Sequence, residues 1–176
     1  MNRLNTLLTD KLVLRKIKIT DIEPIFTNWA SDPEVTKYLT WLPHQSVEDT
    51  KAIVNEWIKQ EDNPKTIRFM ITTKESDEPI GMIDVVGYRD GIPEIGYSLS
   101  RKHWNKGYMT EALKAFIKYL FDIGFVKLSI RADIRNIGSN RVIEKCGFIF
   151  THRKEEICSQ LKPELVTVNY YEITKR

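Results

Sequence analysis

The segment WNKGYMTEALKAFIKYLFDIG, residues 104–124, limits what this chain can fold into more than any other stretch. Its apolar residues at 109, 112, 113, 116, 117, 120 and 123 form one stripe with a repeat near 3.6 residues, so it is a helix with a face that must be covered. Gly107 stands ahead of the stripe and Gly124 behind it, where a residue free to adopt positive φ can open or end a helix. The helix start has a second property. Bare backbone N–H groups, a small residue that allows close approach, and the nearby cations Arg101, Lys102 and Lys106 together make a seat for an anion. A purely structural glycine before a core helix is the other reading of the same residues.

Strands surround that helix. KLVLRKI (11–17) reads as a first strand, and TDIE (20–23) as a capping box opening a helix with Ile22, Ile25, Phe26, Trp29 and Ala30 on its apolar face. SVED (46–49) opens a second helix with Ile53, Val54, Trp57 and Ile58 on one side, after the aromatic, proline-bearing stretch 31–45. KTIRFMITT (65–73), PIGMIDVVGYR (79–89) and PEIGYSLS (93–100) are three strands joined by the turn sequences ESDEP and DGIP, short enough to favour antiparallel neighbours. VKLSIRAD (126–133) alternates, with Val126, Leu128, Ile130 and Ala132 on one side. Asn136 can cap a short helix closing at Gly147, and 148–157 and 164–174 supply two last strands. The expectation is one α+β domain over 1–176: a twisted, mixed, mostly antiparallel sheet of about seven strands flanked by about four helices.

Composition narrows the function. A chain of 176 residues with 41% hydrophobic and 29% charged residues suits one globular domain with a substantial core. A net charge of +3, with bases scattered among acids, argues against a nucleic-acid partner and for a small anionic one. No apolar run has the length of a membrane span and the amino terminus lacks a secretory pattern, so no membrane association and a cytoplasmic location are expected. Cys146 and Cys158 read as reduced structural thiols. Neither they nor His44, His103 and His152 have metal-ligand spacing, so no metal is expected. Neither GxxxxGK[ST] nor GxGxxG occurs, which disfavours a kinase or dinucleotide enzyme.

The order of elements, together with DKLVLRKI, WASDPEVTKYLTW (29–41), EIGYSLSRKHWNKGYMTEAL (94–113) and NIGSNRVIEKCGF (136–148), resembles the GNAT superfamily of acyl-CoA N-acyltransferases, and within it the RimJ/RimL-like branch. The resemblance covers essentially the whole chain and implies acetyl-CoA as cosubstrate. It places the pyrophosphate on backbone amides of Trp104, Asn105, Lys106, Gly107, Tyr108, Met109 and Thr110. Trp104 stands where the family pattern usually has Gln or Arg, and Met109 where it has a small residue. The resemblance also implies that the strand holding Tyr97, Ser98 and Leu99 splays from VKLSIRAD, so that these three bind the pantetheine arm as an added strand would. Asn136 and Ser139 match further cofactor contacts, with plain helix capping as the other reading.

Acetyl transfer to an amine needs a deprotonated nitrogen, a polarised thioester carbonyl and a proton for the leaving thiolate. A backbone N–H of the splayed strand would supply the second. Glu94 matches the glutamate proposed as base in the branch, and would need burial or a relaying water to do that work; an exposed strand-end carboxylate is the alternative. The tyrosine that many members use as acid is replaced by Ile143, leaving Ser139 or no dedicated acid. Trp29, Tyr38 and Trp41, with His44 as the weakest candidate, would wall the site for an amine, either a peptide N-terminus or a small molecule; core packing is their other reading. A non-catalytic coenzyme A binding module is the alternative function. Monomer and homodimer are both open.

Overall fold

The computed structural model describes residues 5–175. Its strands are β1 (Thr6–Leu8), β2 (Leu12–Arg15), β3 (Arg68–Thr73), β4 (Ser76–Arg89), β5 (Ile92–Leu99), β6 (Lys127–Asp133), β7 (Ile149–Ile157) and β8 (Leu165–Thr174). Its helices are α1 (Ile22–Ile25), α2 (Pro33–Thr36), α3 (Val47–Lys59), α4 (Tyr108–Asp122) and α5 (Ile137–Lys145). One sheet runs β1-β2-β3-β4-β5-β6-β8-β7, antiparallel at every pairing except the parallel β5–β6 pair. The mixed α+β expectation holds with one strand more than the expected seven: β1 has three residues, too few for a periodic signal.

Local chemistry explains most boundaries. Ser46 Oγ accepts from Asp49 N and Asp49 Oδ2 accepts from Ser46 N, the expected capping box of α3. The first helix starts differently from the expected 20–23 box. Asp21 accepts from the Lys18 backbone N–H at 2.8 Å, a 3-10 turn spans Ile19–Asp21, and α1 widens into a π-helical turn over Phe26–Ala30. Arg15 holds Asp21 with two bonds of 2.8 and 2.9 Å, so the carboxylate serves a buried ion pair as well as the cap. ESDEP is mostly strand rather than turn, because β4 already pairs at Ser76 with Thr73.

The two faces of the sheet are covered unequally. α4 and α5 cover the central strands of one face, burying Leu113, Phe116, Leu120 and Ile143 against Ile83, Leu128 and Ile130. On the other face a second cluster, Ile25, Trp29, Val54, Met70 and Met82, covers β3 and β4 only. Over β5, β6 and β8 that face stays open, and the β6 residues pointing to it, Ser129, Arg131 and Asp133, are polar. β6 therefore alternates apolar and polar as expected at Leu128, Ile130 and Ala132, whereas Val126 precedes the strand and is exposed.

α5 is fixed by a polar lock. Asn140 donates to the carbonyls of Asp133 and Asn136 at 2.9 and 2.8 Å and accepts from Asn169 and Tyr171 at 2.9 and 2.7 Å, so all its hydrogen-bonding capacity is used inside the fold. Asn140→Ala leaves four buried partners short of a bond and is expected to lower the unfolding free energy by about 2–4 kcal/mol in urea titration. A loss below about 0.5 kcal/mol, the range of an ordinary surface substitution, would contradict this role.

Candidate active site

β5 and β6 part company inside the sheet. Glu94 pairs with Ser129 and Ile95 with Ile130, and there the parallel pairing ends. β5 nevertheless continues against β4, with Tyr97 opposite Ile83, Ser98 opposite Met82 and Leu99 opposite Gly81. The side of β5 turned away from β4 is thus an unpaired edge within the sheet from Gly96 onward, the expected splay, and such an edge can pair with an extended ligand.

Two cavities meet at this parting. The first, about 500 Å³, runs from Leu99, Trp104, Gly107 and Thr110 to the start of α5. The second, about 870 Å³, is the open half of the other sheet face, floored by Asp84, Glu94, Gly96 and Arg131. Tyr97, Ser98, Asn136 and Ser139 line both and mark their junction.

At the far end of the first cavity α4 begins. Gly107 has φ of +79° and caps the helix with its backbone alone; among the described residues no side chain caps this helix start. A Cβ built on Gly107 would meet nothing within 4 Å, so the glycine is required by its left-handed φ and its side faces open space. Asn105 is also left-handed at φ 60°. Glu111 in the first turn accepts from Thr9 Oγ1 and from Lys11 N at 2.7 Å, which ties α4 to the β1–β2 turn. Of the cations expected nearby, Arg101 is paired with Asp32 at 3.1 Å, while Lys102 and Lys106 are exposed. Trp104 acts as a latch: its indole N–H donates to the Leu99 carbonyl at 2.8 Å, and Met109 turns its side chain into the core. Neither side chain is therefore available for a phosphate, and the anion seat consists of amides.

The start of α5 closes the junction. Asn136 Oδ1 accepts from Ser139 N at 3.2 Å, so the capping reading of Asn136 is realised within the cavity wall. Ser139 Oγ lies 2.8 Å from the Tyr97 hydroxyl. Burial pushes the Tyr97 phenol well above its ordinary value, so it stays protonated and can donate. The Tyr97 side chain was not signalled by the sequence, which pointed only to its backbone; the β5 alternation that sends it toward α5 was the available clue. Ile143 is fully buried beneath them.

In the second cavity Glu94 is 8% exposed, and both of its oxygens are taken. Oε2 accepts from Arg89 at 3.1 Å and Oε1 from Arg131 at 2.9 Å. A bulge in β4 at Val86 puts Glu94 opposite Gly87 and aims it at this pair. Arg131 also bonds Glu156, which accepts from the Tyr170 hydroxyl. Tyr38 and Trp41 line the cavity, as does His44, whose imidazole lies below its ordinary pKa through burial and bonds Thr50 at 2.7 Å. Trp29 is 1% exposed and belongs to the second core cluster, so it supports the wall from beneath instead of offering a surface. Lys162, in the β7–β8 loop, donates to the Thr36 and Leu39 carbonyls at 2.6 and 2.9 Å and pins the wall segment around Tyr38.

Residues 11–149 match the acetyltransferase (GNAT) domain family. An uncharacterized N-acetyltransferase, p20, of Bacillus licheniformis is 30% identical over 179 residues and covers 98% of both chains. A GNAT-family acetyltransferase from Bacillus anthracis has a TM-score of 0.83 at 27% identity, covering 96% of this chain and 98% of that one. RimL, a ribosomal L7/L12 alpha-N-protein acetyltransferase solved in complex with coenzyme A, has a TM-score of 0.84 over 96% of this chain and 97% of its own; at 19% identity that likeness is one of fold. A domain match across most of the sequence and a full-length relative at this identity show that the chain belongs to the GNAT acetyltransferase family of acyltransferases.

Proposed function

We propose that the protein moves the acetyl group of acetyl-CoA to a primary amine by direct attack in a ternary complex, as a RimJ/RimL-like member whose acceptor is a peptide N-terminus or a small amine. The observation that carries this reading is the junction of two cavities at the parting of β5 and β6. One cavity ends on a glycine-opened helix start and suits a phosphorylated arm; the other is wide, open and lined by carboxylates and aromatic rings. The residues present fit the cosubstrate. Amides from Trp104 to Thr110 would hold its pyrophosphate, backbone groups of Tyr97, Ser98 and Leu99 its pantetheine arm, and Asn136 and Ser139 the region of the sulfur. Acetyl-CoA supplies an activated acyl group on a thiol leaving group. A backbone N–H of the β5 edge would polarise the thioester carbonyl. The Tyr97–Ser139 hydroxyl pair would pass a proton to the departing sulfur. Glu94, held between two guanidiniums, would orient the incoming amine.

Release of free thiol from acetyl-CoA, measured across N-terminal peptides, polyamines and aminoglycosides, tests the reading directly. Turnover with at least one amine class is expected. Silence across the panel with coenzyme A still bound would favour a binding module. Gly107→Val should raise the acetyl-CoA Kd about tenfold or more, because a left-handed φ costs roughly 1–2 kcal/mol for a residue with a Cβ and the new methyl groups enter the anion seat. Unchanged affinity by calorimetry would remove the pyrophosphate from this turn. Glu94→Gln should lower turnover far more than acetyl-CoA affinity; equal activity would take Glu94 out of the site.

A further inference from the structure

Asp84 is a second carboxylate on the floor of the wide cavity, and its surroundings differ from those of Glu94. It lies on β4 directly opposite Gly96, the first residue of β5 beyond the last β5–β6 bridge. The next residue, Tyr97, carries the hydroxyl that meets Ser139 at the junction of the cavities. Asp84 is thus one strand and one residue away from the place where thioester and amine would meet. It is 6% exposed. Its Oδ2 accepts a single bond of 3.1 Å from Arg68 Nε, while no hydrogen bond to a described residue engages Oδ1. Arg68 cannot readily tighten that contact. Its guanidinium lies over the Trp57 ring at 4.6 Å, and Nη1 is buried without a partner.

The two carboxylates are therefore suited to different work. Glu94 spends one oxygen on Arg89 and the other on Arg131, which suits it to positioning. A buried carboxylate with one oxygen uncommitted gains from protonation, because its charge is poorly solvated. Burial in fact pushes the Asp84 carboxyl above the usual carboxylate range, against the opposing pull of Arg68. An ammonium entering the cavity would relieve the same charge. Glu94 with Arg89 and Arg131 from β4 and β6, Glu156 from β7 and His44 from the loop before α3 stand around the same space, but only Arg68 bonds to Asp84.

We propose that Asp84 seats the acceptor ammonium through Oδ1 and takes its proton. This rests on the acetyltransferase reading above. The acceptor enters as R–NH3+ and gives one proton to the carboxylate, which later loses it to solvent. The freed nitrogen attacks the thioester carbonyl, the C–N bond forms and the C–S bond breaks. The further proton that nitrogen sheds ends on the coenzyme A sulfur through the Ser139 hydroxyl. The products are the amide, the free thiol and one proton released.

The test is the pH dependence of kcat/KM for the best amine of the panel, in the unmodified protein, Asp84→Asn and Glu94→Gln. A base must be ionised to act, so activity is present above its pKa and lost as pH falls through it; with Asp84 as base that acidic limb lies above the ordinary carboxylate range. Asp84→Asn should be about 100-fold slower or worse with acetyl-CoA Kd unchanged; its melting temperature should fall, because the buried Arg68 guanidinium loses its charge partner, so rates are read well below that transition. Its rate should climb about tenfold per pH unit up to the acceptor's own pKa, because only free amine then reacts. Asp84→Glu should keep the plateau at a reduced rate, which guards against a purely structural effect. An Asp84→Asn rate that still levels off at the same pH as the unmodified protein, with that levelling lost in Glu94→Gln instead, would overturn the assignment, as would a loss explained entirely by weaker acetyl-CoA binding. An unmodified protein that turns over no amine would defeat the acceptor reading itself, and this assignment with it.

Discussion

The structure depends on two neighbouring parallel strands that share only two bridged positions, Glu94–Ser129 and Ile95–Ile130. Backbone donors and acceptors are obligatory bonding groups, and leaving a run of them unpaired inside a sheet is costly unless water or a ligand completes them. Here β5 keeps its full pairing with β4 while losing β6, so the cost falls on one edge only. That edge lies between the starts of α4 and α5. Both helices present first-turn N–H groups, one capped by a glycine with no side chain and the other by Asn136. An extended, anionic, hydrogen-bonding arm answers all three deficits at once.

Unequal covering of the sheet does the rest. α1 to α3 bury Met70 and Met82 but stop short of β6, whose Arg131 and Asp133 face the cavity opposite its apolar side, while β8 contributes a small apolar cluster of Val166, Val168 and Tyr170 to the same cavity face. Carboxylates and guanidiniums that would be intolerable in a closed core then line a cavity in mutual contact: Arg68 with Asp84, Arg89 and Arg131 with Glu94, Arg131 with Glu156. Each pair neutralises locally. The differences between pairs matter more than their sum, since Glu94 spends both oxygens on guanidiniums whereas Asp84 bonds Arg68 through one oxygen.

Much of this was legible in the residues. Gly107, the α4 stripe, the Ser46 box, the Asn136 cap and the antiparallel order of β3 to β5 are local signals, and each appears where it was expected. What was hidden depends on tertiary context. Trp29 and Trp41 look alike in sequence and both border the wide cavity, yet Trp29 is packed into the second core cluster while Trp41 is only half-buried, because packing decides which aromatic ring meets solvent. For Trp104 the sequence pointed to the backbone amide and was silent on the indole, which bonds the Leu99 carbonyl through the way the 3-10 turn at Arg101–His103 folds back. Asp84 sits within GMIDVVGY, where a lone acid in an apolar strand carries no motif; its meaning comes from Gly96 across the ladder and from the short reach of the covering helices. The first helix opens two residues before the 20–23 box because the buried Asp21 bonds backward to the Lys18 N–H and pairs with Arg15, a partner that lies outside the local pattern.

The most direct measurement is a crystal structure of the protein soaked with acetyl-CoA. The pyrophosphate should rest on the amides of 107–110, the pantetheine arm should pair with β5 at Tyr97 to Leu99, and the thioester should lie at the junction beside Ser139. A thioester bound elsewhere, with the gap between β5 and β6 filled only by water, would contradict the central claim.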